Sequence, residues 1–102
     1  MDDAIKTTRK YISKLKKGGL DVKSAFLFGS FARGTQNKDS DIDVCVISSS
    51  FGKDYFADMV KLRTMTYDID YRIEPIPLTP DDLKDPYSSL STEIRNYGVK
   101  VI

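Results

Sequence analysis

Two short stretches carry residue types that can do chemistry. They are Gly29-Ser30-Phe31-Ala32-Arg33-Gly34 and Ser40-Asp41-Ile42-Asp43-Val44. Asp41 and Asp43 stand two apart. On a strand, alternate side chains share a face, so both carboxylates project together, about 6–7 Å apart along the chain. That spacing suits oxygen donors gripping one or two hard cations. Gly29-Ser30 follows a short apolar run and opens a brief helix. Free N–H groups in such a turn, with the Ser30 hydroxyl, make an anion site. A phosphate-binding turn a short loop ahead of a paired-aspartate strand implies metal-assisted chemistry on a nucleoside triphosphate. Arg33 either neutralises phosphate or acceptor charge or simply pairs with a loop aspartate such as Asp39.

Other chemistries are excluded by what is missing. Gly29 to Gly34 also satisfies G-x-x-x-x-G, but Thr35-Gln36 stands where a Walker loop needs Lys-Ser/Thr, so that class is rejected. The chain has no histidine and one cysteine, Cys45. A Ser-His-Asp or Cys-His mechanism therefore cannot be built within it, and a zinc site is not expected. A metal here is held by oxygen, which favours magnesium, manganese or calcium. One cysteine also excludes an internal disulfide framework and fits a reducing cytoplasm.

The 102 residues fit a single domain, 1–102, with one core. An apolar share of 40% against 30% charged is that of an ordinary soluble globular chain. No apolar run approaches the ~18–20 residues of a membrane span, so no membrane partner is expected. Met1-Asp2-Asp3 does not open a secretory signal. The net charge is +1, unevenly spread: residues 1–23 hold seven Lys/Arg against three Asp. That basic start is either a solvated helix face or a patch for an acidic partner or a polynucleotide. The near-zero total argues against a dedicated nucleic-acid binder.

The elements that must position the site follow from periodicity. Ile5, Thr8, Ile12 and Leu15 recur at helical spacing over 2–17, with Gly18-Gly19 as the stop. Residues 24–29 read as a buried strand, Phe31 to Gly34 as a brief helix, and 35–40 as a polar loop. Residues 41–47 are a second strand, with Ile42, Val44 and Val46 on one face and Asp41, Asp43 and Cys45 on the other. Phe56, Met59 and Val60 at i, i+3, i+4 mark a helix over 54–66. Residues 67–76 read as a third strand, which puts Asp68, Asp70, Arg72 and Glu74 on one face. Pro75 and Pro77 cannot donate a ladder hydrogen bond, so its last part is expected to be a sheet edge or to leave the sheet. Thr79-Pro80-Asp81-Asp82 starts a helix in the manner of a capping box. Leu90, Ile94 and Tyr97 mark a last helix that Gly98 ends, and 99–102 could add a short edge strand.

Gly-Ser, Arg-Gly and then Asp-x-Asp at this distance resemble the signature of the DNA polymerase β-like nucleotidyltransferase superfamily. The short length is similar to its minimal nucleotidyltransferases, often paired with HEPN-domain proteins; the resemblance spans roughly residues 22–78. It implies an α/β (α+β) fold with a small mixed sheet, helices packed on one face and the metal site on the other. It implies that Gly29 and Ser30 hold nucleotide phosphates and that Asp41 and Asp43 bind two Mg2+, with Mn2+ as a substitute. A third carboxylate on the next strand completes the metal site. Glu74 is the first choice and Asp70 the alternative, the family's usual residue being aspartate. Arg72 between them either pairs structurally or faces the triphosphate. The implied reaction moves a nucleoside monophosphate, AMP from ATP, to a hydroxyl acceptor. In that family one acceptor is a tyrosine of a HEPN toxin, which makes the transferase an antitoxin. The competing expectation is a weak or inactive module that regulates a partner by contact.

Overall fold

The computed structural model describes residues 2–37 and 39–102; Met1 and Lys38, the latter within the expected polar loop, lie outside the described residues. The order is α1 (Asp2–Lys17), β1 (Ser24–Phe28), α2 (Gly29–Arg33), β2 (Ile42–Ile47), α3 (Tyr55–Thr64), β3 (Ile73–Leu78), α4 (Pro80–Lys84), α5 (Ser89–Tyr97) and β4 (Val99–Lys100). The strands form one mixed sheet in the order β3-β2-β1-β4. β1 runs antiparallel to β2 and to β4, while β2 and β3 are parallel. A parallel pair needs a crossover, and α3 supplies it. β3 is an edge strand, which is why Pro75 and Pro77 are tolerated within it.

The alternation of side chains divides the core into two layers. On one face, Ala25 and Leu27 of β1, Ile42, Val44 and Val46 of β2 and Ile73 of β3 pack with Ala4, Tyr11, Ile12 and Leu15 of α1 and Leu62 of α3. The Tyr11 hydroxyl donates to the Leu62 carbonyl at 2.7 Å, which ties α1 to the end of α3. Burial holds the Tyr11 hydroxyl well above its usual pKa.

On the other face, Phe28, Cys45 and Ile47 pack with Ile94 of α5, flanked by Phe26, Ile76, Leu78, Leu83 and Leu90. The expected mixed sheet is present, and α1 and α3 share a face. The expectation that all helices lie on that face needs correcting: α4 and α5 cover part of the opposite one. The reason lies in β1, β2 and β3, whose second faces also carry apolar residues beyond the acidic positions and so need cover. Caps fix where these helices start. Thr79 and Asp82 form a reciprocal capping box at α4, and the Ser88 hydroxyl accepts the Ser91 N–H at the start of α5.

Two further expectations are corrected. The third strand does not begin at 67; residues 66–72 form turns. The N–H groups of Ile69 and Asp70 both donate to the Thr66 carbonyl at 3.0 Å, and the Asp70 carboxylate accepts the Arg72 N–H at 2.9 Å. Such local side-chain bonding competes with extended pairing. In α3, Phe56 and Val60 point outward, 78% and 48% exposed, and only Leu62 is buried.

Candidate active site

The site forms where β1 ends and β2 and β3 begin, beside α2. Phe28 is the antiparallel partner of Asp43, and Asp43 is the parallel partner of Glu74. Gly29, one step beyond Phe28, opens α2 directly, two residues earlier than expected. Its φ is +69°, a conformation that glycine adopts freely. A side chain there would also collide with the Asp43 carboxylate, since an added Cβ meets Oδ2. Gly29 is therefore required twice: for the turn, and for the approach of the carboxylate to the main chain. Gly34, at φ +76°, ends α2.

Asp41 lies exposed just before β2, and Asp43 is half-buried on the strand. The Asp43 carboxyl is pushed up to about 6, first by burial and then by the negative charges of Asp41, Glu74 and Glu93. A carboxylate so surrounded has an unmet demand for positive charge. Hence the donor set fits a hard cation: all oxygen, excess negative charge, and a carboxylate held against a glycine turn. Among the described residues no three acidic side chains converge closely enough to hold an ion by themselves. Magnesium does not require that, because it keeps waters and shares phosphate oxygens with one or two carboxylates.

Of the two candidates for the third carboxylate, the fold brings only Glu74 to this edge. Asp70 sits in the turn before β3 with its carboxylate on Arg72, at 3.1 Å from Nε and 2.9 Å from Nη2, which holds it below the usual carboxylate range. Arg72 is thereby used structurally and also approaches Asp3 at 3.7 Å. Asp68, likewise placed on the strand by parity, pairs instead with Lys14. Arg33 does not pair with Asp39; it reaches Glu93 of α5 at 3.3 Å, with its guanidinium 4.8 Å from the Tyr97 ring centroid.

The nucleotidyltransferase domain family matches residues 5–100. This chain belongs to that family. Across 103 residues it is 33% identical to "Putative protein adenylyltransferase MJ0141" of Methanocaldococcus jannaschii, covering 97% of this chain and 96% of the relative. A second protein of that organism, "Putative protein adenylyltransferase MJ1305", is 38% identical over 79 residues and 72% of this chain. The match covers 54% of that relative's own length. Among solved structures, a toxin-antitoxin complex with AMP-PNP matches at TM-score 0.69 and 23% identity, covering 92% of this chain and 71% of that one. A complex of a tri-AMPylated Shewanella oneidensis HEPN toxin with an MNT antitoxin matches at TM-score 0.63 and 18% identity, covering 94% and 69%. At these identities the likeness establishes the fold.

Two residues that the fold brings to the candidate site were not legible in the sequence. Arg63, on α3, donates from Nη1 to Glu74 Oε1 at 3.2 Å and from Nη2 to Glu74 Oε2, gripping both oxygens. Glu93, on α5, accepts the Gly29 N–H at 3.3 Å through Oε2 while Oε1 meets Arg33. Neither belongs to a local motif, and Glu93 lies 64 residues from Gly29. Only the covering of the acidic face by α5 brings it there.

Proposed function

We propose that this domain transfers AMP from ATP to a hydroxyl group of a protein acceptor, using divalent cations held by Asp41, Asp43 and Glu74. The observation that carries this reading is the strand register that sets Glu74 beside Asp43, with Asp43 against the Gly29 turn. Gly29 and Ser30 bind phosphate oxygens through the main-chain N–H and the hydroxyl, and Arg33 adds a positive charge. Asp43 and Glu74 face the reacting end of the triphosphate, and a site carboxylate takes the acceptor's proton. A bond forms between the acceptor oxygen and the α-phosphorus, the α–β bridge breaks, and pyrophosphate leaves. Bound Mg2+, or Mn2+ in its place, supplies charge neutralisation at the attacking and leaving oxygens. The protein's share is positioning and electrostatics, which a domain without histidine can provide.

A protein acceptor is supported by the likeness to the two Methanocaldococcus proteins named "Putative protein adenylyltransferase", and a HEPN protein by the likeness to the Shewanella complex. In that setting the domain acts as an antitoxin in the cytoplasm. A contact-only regulator is the second reading; it is favoured by the grip of Arg63 on both oxygens of Glu74, which a cation at Glu74 would have to displace.

The test is to incubate the protein with α-labelled ATP, Mg2+ and the protein encoded beside it, with Asp41→Asn/Asp43→Asn as the control. Label on the partner with wild type alone is the expected result. Equal neutralisation of the partner by both proteins without label would establish regulation by contact instead.

A further inference from the structure

The Gly29 turn already holds a carboxylate. Glu93 reaches from α5 across the end of the sheet, accepts the Gly29 N–H through one oxygen and meets Arg33 with the other, both at 3.3 Å. These are two of the three groups assigned above to phosphate. A carboxylate and a phosphate oxygen compete for such donors because both are charged acceptors of similar geometry. Two constraints aim Glu93 at the turn. Ile94, the next residue of α5, is buried against Phe28, Cys45 and Ile47, so the helix cannot shift freely. Tyr97, one helical turn further, lies under the Arg33 guanidinium and keeps it on the α5 side. Glu93 itself is only part-covered, with 31% of its side chain exposed, so it can swing into solvent.

We propose that Glu93 is the resident anion of the phosphate turn, displaced by the triphosphate and returning when pyrophosphate leaves. The inference rests on the nucleotidyltransferase reading of the site and adds to it a residue that sets nucleotide affinity. Glu93 keeps Gly29 and Arg33 ordered when the site is empty, at the cost of weaker binding. It also puts a negative charge beside departing pyrophosphate, which favours release.

The test measures binding of α,β-methylene-ATP with Mg2+, and separately of tripolyphosphate, to the full chain by calorimetry. Wild type, Glu93→Gln, Glu93→Ala and Asp39→Asn are compared, each checked for folding by circular dichroism. Asp39 is an exposed loop acid outside the turn and controls for loss of one negative charge. Both Glu93 variants are expected to bind each probe about three- to tenfold more tightly than wild type, with Asp39→Asn unchanged. Wild-type binding with equal or weaker binding by the Glu93 variants overturns the role of Glu93 and leaves the nucleotide reading standing. Equal tightening by Asp39→Asn also overturns it, because the effect is then one of net charge. No binding by any folded protein overturns the nucleotide reading and this inference with it.

Discussion

The second face of the β1–β2–β3 sheet has two ends built on opposite rules. At one end Asp43 stands beside Glu74, and Glu93 and Asp41 add to the same negative field. At the other, Cys45 stands beside Ile76 and Ile47 beside Leu78, covered by Leu90 and Ile94. The strands and the register are the same; only the chemistry of alternate positions differs. The apolar end gains from burial and holds α5 in place. The acidic end is a liability in the free protein, since like charges are crowded and one is partly desolvated. Arg63 and Arg33 offset that crowding from α3 and α2. A chain that keeps such a cluster gives up stability for a demand that a cation and a polyphosphate can meet.

Substitutions at the two ends should separate accordingly. The largest effect falls at Asp43. Asp43→Asn should lower AMP transfer at least about a hundredfold in the labelled-ATP assay. The same change should stabilise the metal-free protein. The Asp43 carboxyl sits at about 6 in the fold against an ordinary 3.8. Protonation therefore favours the fold, and that advantage is lost as pH rises from about 4 through 6. The uncharged asparagine escapes this loss. Thermal scans should show Asp43→Asn more stable than wild type above pH 6 and no different below pH 4; a variant that melts lower at pH 8 would contradict the account of the acidic end.

Glu74→Gln should cost about tenfold or more in transfer, whereas Asp70→Asn should stay within about twofold of wild type. The reverse outcome would move the third carboxylate to the turn. Gly29→Ala should impair both sides of the comparison. Its positive φ alone costs about 1–2 kcal/mol, and the collision with Asp43 displaces the carboxylate. Chemical denaturation and labelled-ATP assays on one preparation would report the two losses together.

At the apolar end, Ile47→Ala should cost about 2–4 kcal/mol of stability while leaving transfer per folded molecule unchanged. Loss of activity without loss of stability there would mean the two ends are not independent. The smallest effect is at Cys45, fully buried with its thiol pushed up to about 12, mainly by burial. It should resist thiol reagents in native buffer and react only as fast as the chain unfolds.

Much of this arrangement is readable from local pattern. Strand alternation assigns Ile42, Val44 and Val46 to one face and Asp43 to the other, because a strand has only two sides. The glycine-serine turn, the paired aspartates and the edge placement of Pro75 and Pro77 are likewise local consequences of backbone chemistry. What pattern misjudged was decided by competition with nearby groups. Asp68 and Asp70 have the parity of Glu74, but Thr66, Arg72 and Lys14 offer closer partners, and the segment turns before it can pair. Phe56 and Val60 have core spacing, yet α3 buries Leu62 instead.

The glycine-serine turn, the Asp41–Asp43 pair and the family signature they compose are legible in the residues alone. Those features are encoded within about fifteen consecutive residues and need no distant contact. The docking of distant segments set Glu74 beside Asp43, brought Arg63 onto Glu74 and laid Glu93 against Gly29. Each depends on strand register or helix docking between segments far apart in the chain. Those are set by the burial of both sheet faces together, which no single stretch of residues contains.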